Sequence, residues 1–165
     1  MIALKDFIHL NQEEIEFVLK WRNDESIAKF MKTKNITLKE HLNFLSSLKA
    51  DSTKKYFLVF KDDEPIGVID FININKTSCE FGLYGIKKGV GDLLMQEIKK
   101  YAFEILKIKN LKACVFKTNQ KALNLYLKHN FKIIDENDEF YFVDFMGGGN
   151  NLAFFIILPF LKKVA

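Results

Sequence analysis

Cysteine is scarce in this chain: Cys79 and Cys114 are the two present, and each lies in an alternating apolar stretch that reads as a strand. Two core thiols rather than a disulfide framework are expected, and a reducing compartment suits them. The opening residues Met-Ile-Ala-Leu-Lys-Asp lack the continuous apolar core and small-residue cleavage site of a secretory signal. No apolar run reaches the roughly 20 residues that span a bilayer. A cytoplasmic protein with no membrane partner is the expectation. The three histidines, His9, His41 and His129, do not form a metal-ligand spacing, and no Ser/His/Asp or Cys/His constellation is legible. No metal is expected.

Charge of one sign is also in short supply. The 25 Lys+Arg residues against 21 Asp+Glu leave a formal charge of +4, interleaved along the chain. A nucleic-acid binder shows a clustered basic face; this excess suits an anionic small molecule such as a nucleotide or coenzyme. Internal repeats and low-complexity linkers are absent before residue 146. With 165 residues, 48% of them hydrophobic, one catalytic domain with a substantial core is expected.

What is present reads as a layered fold. Asn11 and Glu14 stand at capping-box spacing before a face of Ile15, Val18, Leu19 and Arg22. A second helix start at Thr37-Leu-Lys-Glu40 precedes a stripe of Leu38, Leu42, Leu45 and Leu48. Tyr56 to Phe60 and Ile66 to Ile72, joined through Asp62-Asp-Glu-Pro65, read as a hairpin. A third strand over about Ser78 to Ile86 leads into Lys87-Lys-Gly-Val-Gly91 and then a helix with Val90, Leu94, Ile98, Ala102 and Ile105 on one face. Leu111 to Phe116, Gln120 to His129, and the pair Phe131 to Ile134 with Phe140 to Phe145 complete a strand, a helix and a closing hairpin. The order predicts an α/β (α+β) fold on a mixed sheet.

Gly89-Val-Gly91, after a strand and opening a helix, lets backbone N–H groups approach an anion where the helix terminus favours negative charge. A tight turn needing positive φ is the plain alternative. A P-loop and a Rossmann fingerprint are both excluded, since no Gly-Lys-Ser/Thr and no third glycine follow at the required spacing. Downstream, Asn119-Gln-Lys-Ala122-Leu-Asn-Leu125-Tyr126 is followed by Asn130-Phe131. Together the two segments resemble the signature of the GNAT acetyltransferases, over roughly residues 56 to 145.

The resemblance implies a central mixed, mostly antiparallel sheet flanked by helices, with acetyl-CoA as co-substrate. It implies coenzyme contacts along Phe81 and Leu83, a pyrophosphate site at Lys87, Lys88, Gly89, Val90 and Gly91, and further contacts at Asn119, Ala122 and Tyr126. Two departures from the family pattern stand out. Asn130 replaces the usual glycine before Phe131, and Ile86 stands where Gln or Arg is normal in a loop that is also shortened; Lys87 and Lys88 are then the expected source of positive charge.

Acetyl transfer from a thioester to an amine needs a neutral nucleophile, a polarised carbonyl and a proton for the thiolate. Glu80, on the strand before the loop, is the carboxylate expected to take the ammonium proton, directly or through water. Tyr126 is the expected acid at sulfur, its phenol having a reference pKa near 10. The plain readings are a solvent-facing strand glutamate and a core aromatic. Backbone N–H groups of Phe81 to Tyr84 are the expected oxyanion donors.

Trp21-Arg-Asn23, Phe30-Met-Lys-Thr-Lys34, Glu40-His-Leu-Asn-Phe-Leu45, Lys55-Tyr-Phe-Leu-Val-Phe60, Ile66-Gly-Val-Ile-Asp-Phe71 and Cys79-Glu-Phe-Gly-Leu-Tyr84 together resemble the GNAT acetyltransferases of pseudaminic acid biosynthesis. That resemblance implies a nucleotide-sugar partner, UDP-4-amino-4,6-dideoxy-N-acetyl-β-L-altrosamine, acetylated on its 4-amino group for flagellin glycosylation. Arg22 is expected to pair with phosphate, His41 with phosphate or ribose, and Asn73 and Tyr84 with base or sugar; a helix-end charge, a buried histidine, a turn former and a core aromatic are the respective alternatives. A ribosomal-protein-type N-terminal acetyltransferase and a non-catalytic CoA-binding module are the rival readings. The chain is expected to be a monomer or homodimer.

The domain is expected to end at residue 146, and the apolar tail 147–165 breaks with everything before it. Met146 to Gly149 permit an unbroken guanine run in the gene, which makes the tail readable as a frame-shifted extension of an intact domain; an added edge strand or a tail packed on the domain is the alternative.

Overall fold

The computed structural model describes residues 1–147. Seven strands are found among the described residues: β1 Ile2–Asp6, β2 Lys55–Lys61, β3 Glu64–Ile72, β4 Ser78–Gly85, β5 Asn110–Phe116, β6 Lys132–Glu136 and β7 Phe140–Met146. They form one sheet in the order β1-β2-β3-β4-β5-β7-β6. The helices are α1 Gln12–Asn23, α2 Glu25–Ala28, α3 Leu38–Leu48, α4 Gly91–Lys100 and α5 Gln120–Lys128. Every neighbouring strand pair is antiparallel except β4 and β5, which run parallel.

Both expected capping boxes form. Asn11 Oδ1 accepts from the Glu14 N–H and Glu14 answers on the Asn11 N–H, each at 2.9 Å; Thr37 and Glu40 do the same for α3 at 3.1 and 2.6 Å. Each box satisfies two donors that a helix start otherwise leaves orphaned. The β2–β3 turn consists of Asp62 and Asp63, both in the left-handed region with φ 50° and 64°, the twist a two-residue hairpin requires.

Three local readings change in the folded chain. Strand β1 was not foreseen: its five residues carry too short an alternation, and its partner β2 lies some fifty residues away in sequence. On α3 the buried face is His41, Leu45 and Leu48, whereas Leu38 and Leu42 are exposed. The helix after the glycine loop does not stay α-helical to Ile105. It widens into a π turn over Tyr101–Ile105, closed by the Leu106 N–H on the Tyr101 carbonyl at 2.9 Å. The extra residue per turn rotates the face, so Ile105 emerges 62% exposed and Leu106 packs on the core in its place.

The sheet separates two cores. Phe57, Ile69, Phe71, Phe81, Leu94, Ile98, Leu111, Tyr126 and Val143 belong to the larger, under α4 and α5. Phe7, Val18, Leu45, Leu48, Leu58 and Val68 form the smaller, under α1 and α3. Cys79 is a core thiol as expected, but Cys114 is only half-buried and borders a cleft. Strand β7 ends at Met146, and the Gly147 N–H donates to the Lys109 carbonyl at 2.8 Å. Beyond Gly147 the proposed tail, its guanine-run origin included, lies outside the described residues.

Candidate functional site, a cleft between two diverging strands

Strands β4 and β5 pair only through Ser78–Asn110, Cys79–Leu111 and Glu80–Lys112. Past Glu80 the two separate, and the edge of β4 facing β5 has no strand partner among the described residues. Buried backbone polar groups do not stay unpaired without a ligand or water. A cleft of about 720 Å³ opens there, bordered by β4, the glycine loop, the ends of α4 and α5, and the 26–32 segment.

Phe81, Leu83, Gly89, Val90, Gly91, Asn119, Ala122 and Tyr126 all line this cleft, as does Lys87; Lys88 does not. Gly89 has φ 82° and nothing within 4 Å of where a Cβ would stand. The α4 start carries no side-chain cap, so its first N–H groups are free to hold an anion. Asn119 instead caps α5, accepting from the Ala122 N–H at 3.2 Å. These features fit a coenzyme pyrophosphate at α4 and an acyl-pantetheine arm along the free edge of β4.

The positive charge is arranged differently from the sequence expectation. Lys87 is ion-paired with Glu64, and Lys128 with Asp92 at 2.7 Å. Lys121, on the first turn of α5, lines the cleft and makes no ion pair among the described residues. Sequence reasoning passed over it because its only signal was a lysine inside the Asn119–Tyr126 segment.

Tyr126 is 5% exposed, its ring edge-on to Phe81 with centroids 5.2 Å apart. Burial raises its phenol well above the ordinary value, and the nearby charges of Asp70 and Cys114 raise it further. The phenol therefore stays protonated throughout the physiological range, as a proton donor must. Glu80 lines the same cleft at the closed end of the strand divergence and accepts a hydrogen bond from the Asn73 Nδ2. The fold thus brings two expected residues together as one pair.

Of the expected nucleotide-binding residues, Tyr84 lines the cleft, and burial first, then Asp70, raises its phenol. Arg22 and His41 lie behind it. The Arg22 guanidinium donates to the Thr33 and Lys34 carbonyls at 2.6 and 2.8 Å, so it anchors the segment ahead of α3. His41 is 2% exposed with Nε2 unpartnered. Desolvation lowers its basicity, partly offset by a hydrogen bond with the Ile15 backbone and reinforced by Arg22. Two further cleft residues, Tyr56 and Asp70, went unnoticed in the sequence, where strand alternation marks them only as polar positions on a half-buried face.

The acetyltransferase (GNAT) family model matches residues 15–131. Acetyltransferase PseH of Campylobacter jejuni serotype O:2 is 60% identical over 145 residues, covering 87% of this chain and 92% of that protein. The serotype O:23/36 protein is 59% identical over the same length. The crystal structure of C. jejuni N-acetyltransferase PseH in complex with acetyl coenzyme A superposes with a TM-score of 0.79 at 52% identity, covering 90% of this chain and 100% of that one. Spermidine N-acetyltransferase of Vibrio cholerae shares the fold at 20% identity with a TM-score of 0.78. The free β4 edge, the uncapped helix start and the buried phenol are thus found in a chain that belongs to the GNAT family and is an acetyl-CoA-dependent N-acetyltransferase.

Proposed function

We propose that this enzyme acetylates the 4-amino group of a UDP-linked amino-deoxy sugar, UDP-4-amino-4,6-dideoxy-N-acetyl-β-L-altrosamine, in pseudaminic acid biosynthesis for flagellin glycosylation. The observation that carries the reading is 60% identity with a C. jejuni PseH along 145 residues. Local chemistry agrees with it. Beyond Tyr126 the cleft continues to a polar wall of Tyr56, Asp70 and Tyr84, which suits a hydroxylated, charged acceptor better than an aliphatic one.

In this reading the N–H groups at the start of α4 bind the coenzyme pyrophosphate, with Lys121 and Lys87 alongside. The free N–H groups of β4 between Phe81 and Tyr84 hold the developing oxyanion. Tyr126 protonates the departing sulfur, and Glu80, held by the Asn73 amide, is a carboxylate at the closed end of the cleft. Arg22, His41 and Tyr84 shape the nucleotide end. The domain is residues 1–146, acting in the cytoplasm as a monomer or homodimer.

The direct test is thiol release from acetyl-CoA with three acceptors: the UDP-amino sugar, a ribosomal-protein N-terminal peptide and spermidine. At least a 100-fold kcat/KM preference for the sugar is expected, about 2.7 kcal/mol of transition-state discrimination. Preference for the peptide establishes the N-terminal acetyltransferase reading, and acetyl-CoA binding without turnover on any amine establishes a non-catalytic module.

Arg22→Ala is expected to raise KM for the nucleotide sugar roughly tenfold or more, since it removes the two charged hydrogen bonds, worth about 1.5–3 kcal/mol each, that anchor the Thr33–Lys34 segment at the nucleotide end. Acetyl-CoA affinity, measured by calorimetry, stays within error. Arg22→Lys does not rescue, because an ammonium lacks the planar fork that reaches two carbonyls. Equal weakening of both ligands refutes the assignment.

A further inference from the structure

Asp70 stands at the centre of a row that crosses three strands: Tyr56 on β2, Asp70 on β3 and Gly82 on β4. Gly82 has no side chain, and the Asp70 carboxyl fills the space. A Cβ on Gly82 would lie 2.5 Å from Asp70 Oδ2. The carboxyl therefore lies flat over β4 where that strand leaves β5, inside the cleft that Tyr126 also lines. It receives no hydrogen bond from the described residues. The titratable groups facing it are Tyr56 on β2, Tyr84 on β4 and Tyr126 on α5, each of whose phenols its charge raises. Glu80 stands one row along on β4, and Arg22 on α1 stands behind Tyr56 and Tyr84. Glu80 itself is engaged by Asn73.

We infer that Asp70, rather than Glu80, is the proton acceptor of the reaction: it meets the substrate ammonium beside Tyr126 and takes its proton. This rests on the amine-acetylation reading above. A carboxylate without protein donors in a desolvated site is a strong attractor for an ammonium, which supplies both the missing hydrogen bonds and the opposite charge. Desolvation raises the Asp70 carboxyl to about 7, the range in which a group both accepts and releases a proton efficiently.

The steps balance. The amine enters as R–NH3+, and one proton passes to the Asp70 carboxylate, leaving a lone pair on nitrogen. Nitrogen attacks the acetyl carbonyl carbon, the C–N bond forms, the C–S bond breaks, and sulfur takes the Tyr126 phenolic proton. The second proton shed by nitrogen restores the phenol. The proton on Asp70 leaves through the open cleft.

The experiment compares wild type, Asp70→Asn, Glu80→Gln and Gly82→Ala. In wild type, kcat/KM rises with pH through an ionisation near 7. Asp70→Asn lowers kcat by about 10²- to 10³-fold, abolishes that acidic limb and leaves acetyl-CoA affinity unchanged. Glu80→Gln keeps the limb. Gly82→Ala displaces the carboxyl without altering its chemistry, and kcat falls roughly tenfold or more with acetyl-CoA binding retained. An Asp70→Asn enzyme that keeps its rate and its acidic limb overturns the inference, as does loss of the limb in Glu80→Gln.

A second readout needs no acceptor. The folded-state pKa of Asp70 is raised above its unfolded value, so its favourable contribution is complete below the unfolded pKa and is lost as pH rises through the folded one. Asp70→Asn is therefore more resistant to urea than wild type at about pH 8, with the difference closing at about pH 4. Equal midpoints at the higher pH show a solvated carboxyl and also overturn the inference. Failure of the wild type on the nucleotide sugar overturns the acceptor reading alone; the Asp70 comparison then runs on whichever amine the enzyme acetylates.

Discussion

Tyr126→Phe is expected to lower kcat by about 10²-fold or more while leaving the fold and acetyl-CoA binding intact, the scale set by loss of a general acid. The ring does the structural work at this position. It packs against Phe81 and Phe131 with centroids 5.2 and 6.0 Å away, and phenylalanine preserves both contacts. The residue lines the cleft, and no protein group among the described residues is hydrogen-bonded to its hydroxyl. Removing it takes away the proton and leaves no buried partner unsatisfied, so the change falls on kcat and spares KM. Steady-state kinetics with calorimetric titration of acetyl-CoA separate the two. A kcat within twofold of wild type removes Tyr126 from the sulfur and leaves it a core aromatic.

Phe71→Ala is expected to cost about 3–5 kcal/mol of stability, the range for emptying a buried phenylalanine site. Its side chain is fully buried near the C-terminal end of β3, stacked on Tyr101 at 5.0 Å and edge-on to Phe57 at 6.4 Å. Tyr101 opens the π turn, so the ring joins the centre of the sheet to the place where the long helix changes its winding. Neighbouring strands pair on both sides of Phe71, which leaves the cavity little room to collapse. Urea unfolding monitored by tryptophan fluorescence measures the loss, and a value below about 1 kcal/mol shows that the π turn repacks into the space.

The elements legible in residue order are those whose causes lie within a few residues. The capping boxes at Asn11 and Thr37, the Asp62–Asp63 turn and the glycine loop all follow from short-range sterics and hydrogen bonding, so residue order reveals them directly. Strand alternation likewise separates Phe81 and Leu83, packed on the larger core, from Gly82 and Tyr84 on the other face. Helical spacing failed on α3 for a physical reason. The exposed Leu38 and Leu42 extend the stripe of Leu45 and Leu48 on paper as well as the buried His41 does, because the packing partners Ile15 and Val18 are supplied by another helix.

Residue order alone points to the class of chemistry, through a glycine loop opening a helix, an Asn-to-Tyr segment on the next helix, and no metal-ligand or nucleophile spacing among its histidines, serines and cysteines. Which side chains meet is set by the folded chain. It bound the Arg22 guanidinium to the Thr33 and Lys34 carbonyls, paired Glu80 with Asn73, and turned Ile105 outward through one widened turn. It also laid the Asp70 carboxyl over the bare backbone of Gly82. The physical reason is register. A carboxylate's acidity and reach depend on what stands across the ladder from it, and that partner is chosen by strand pairing between segments that carry no local record of one another.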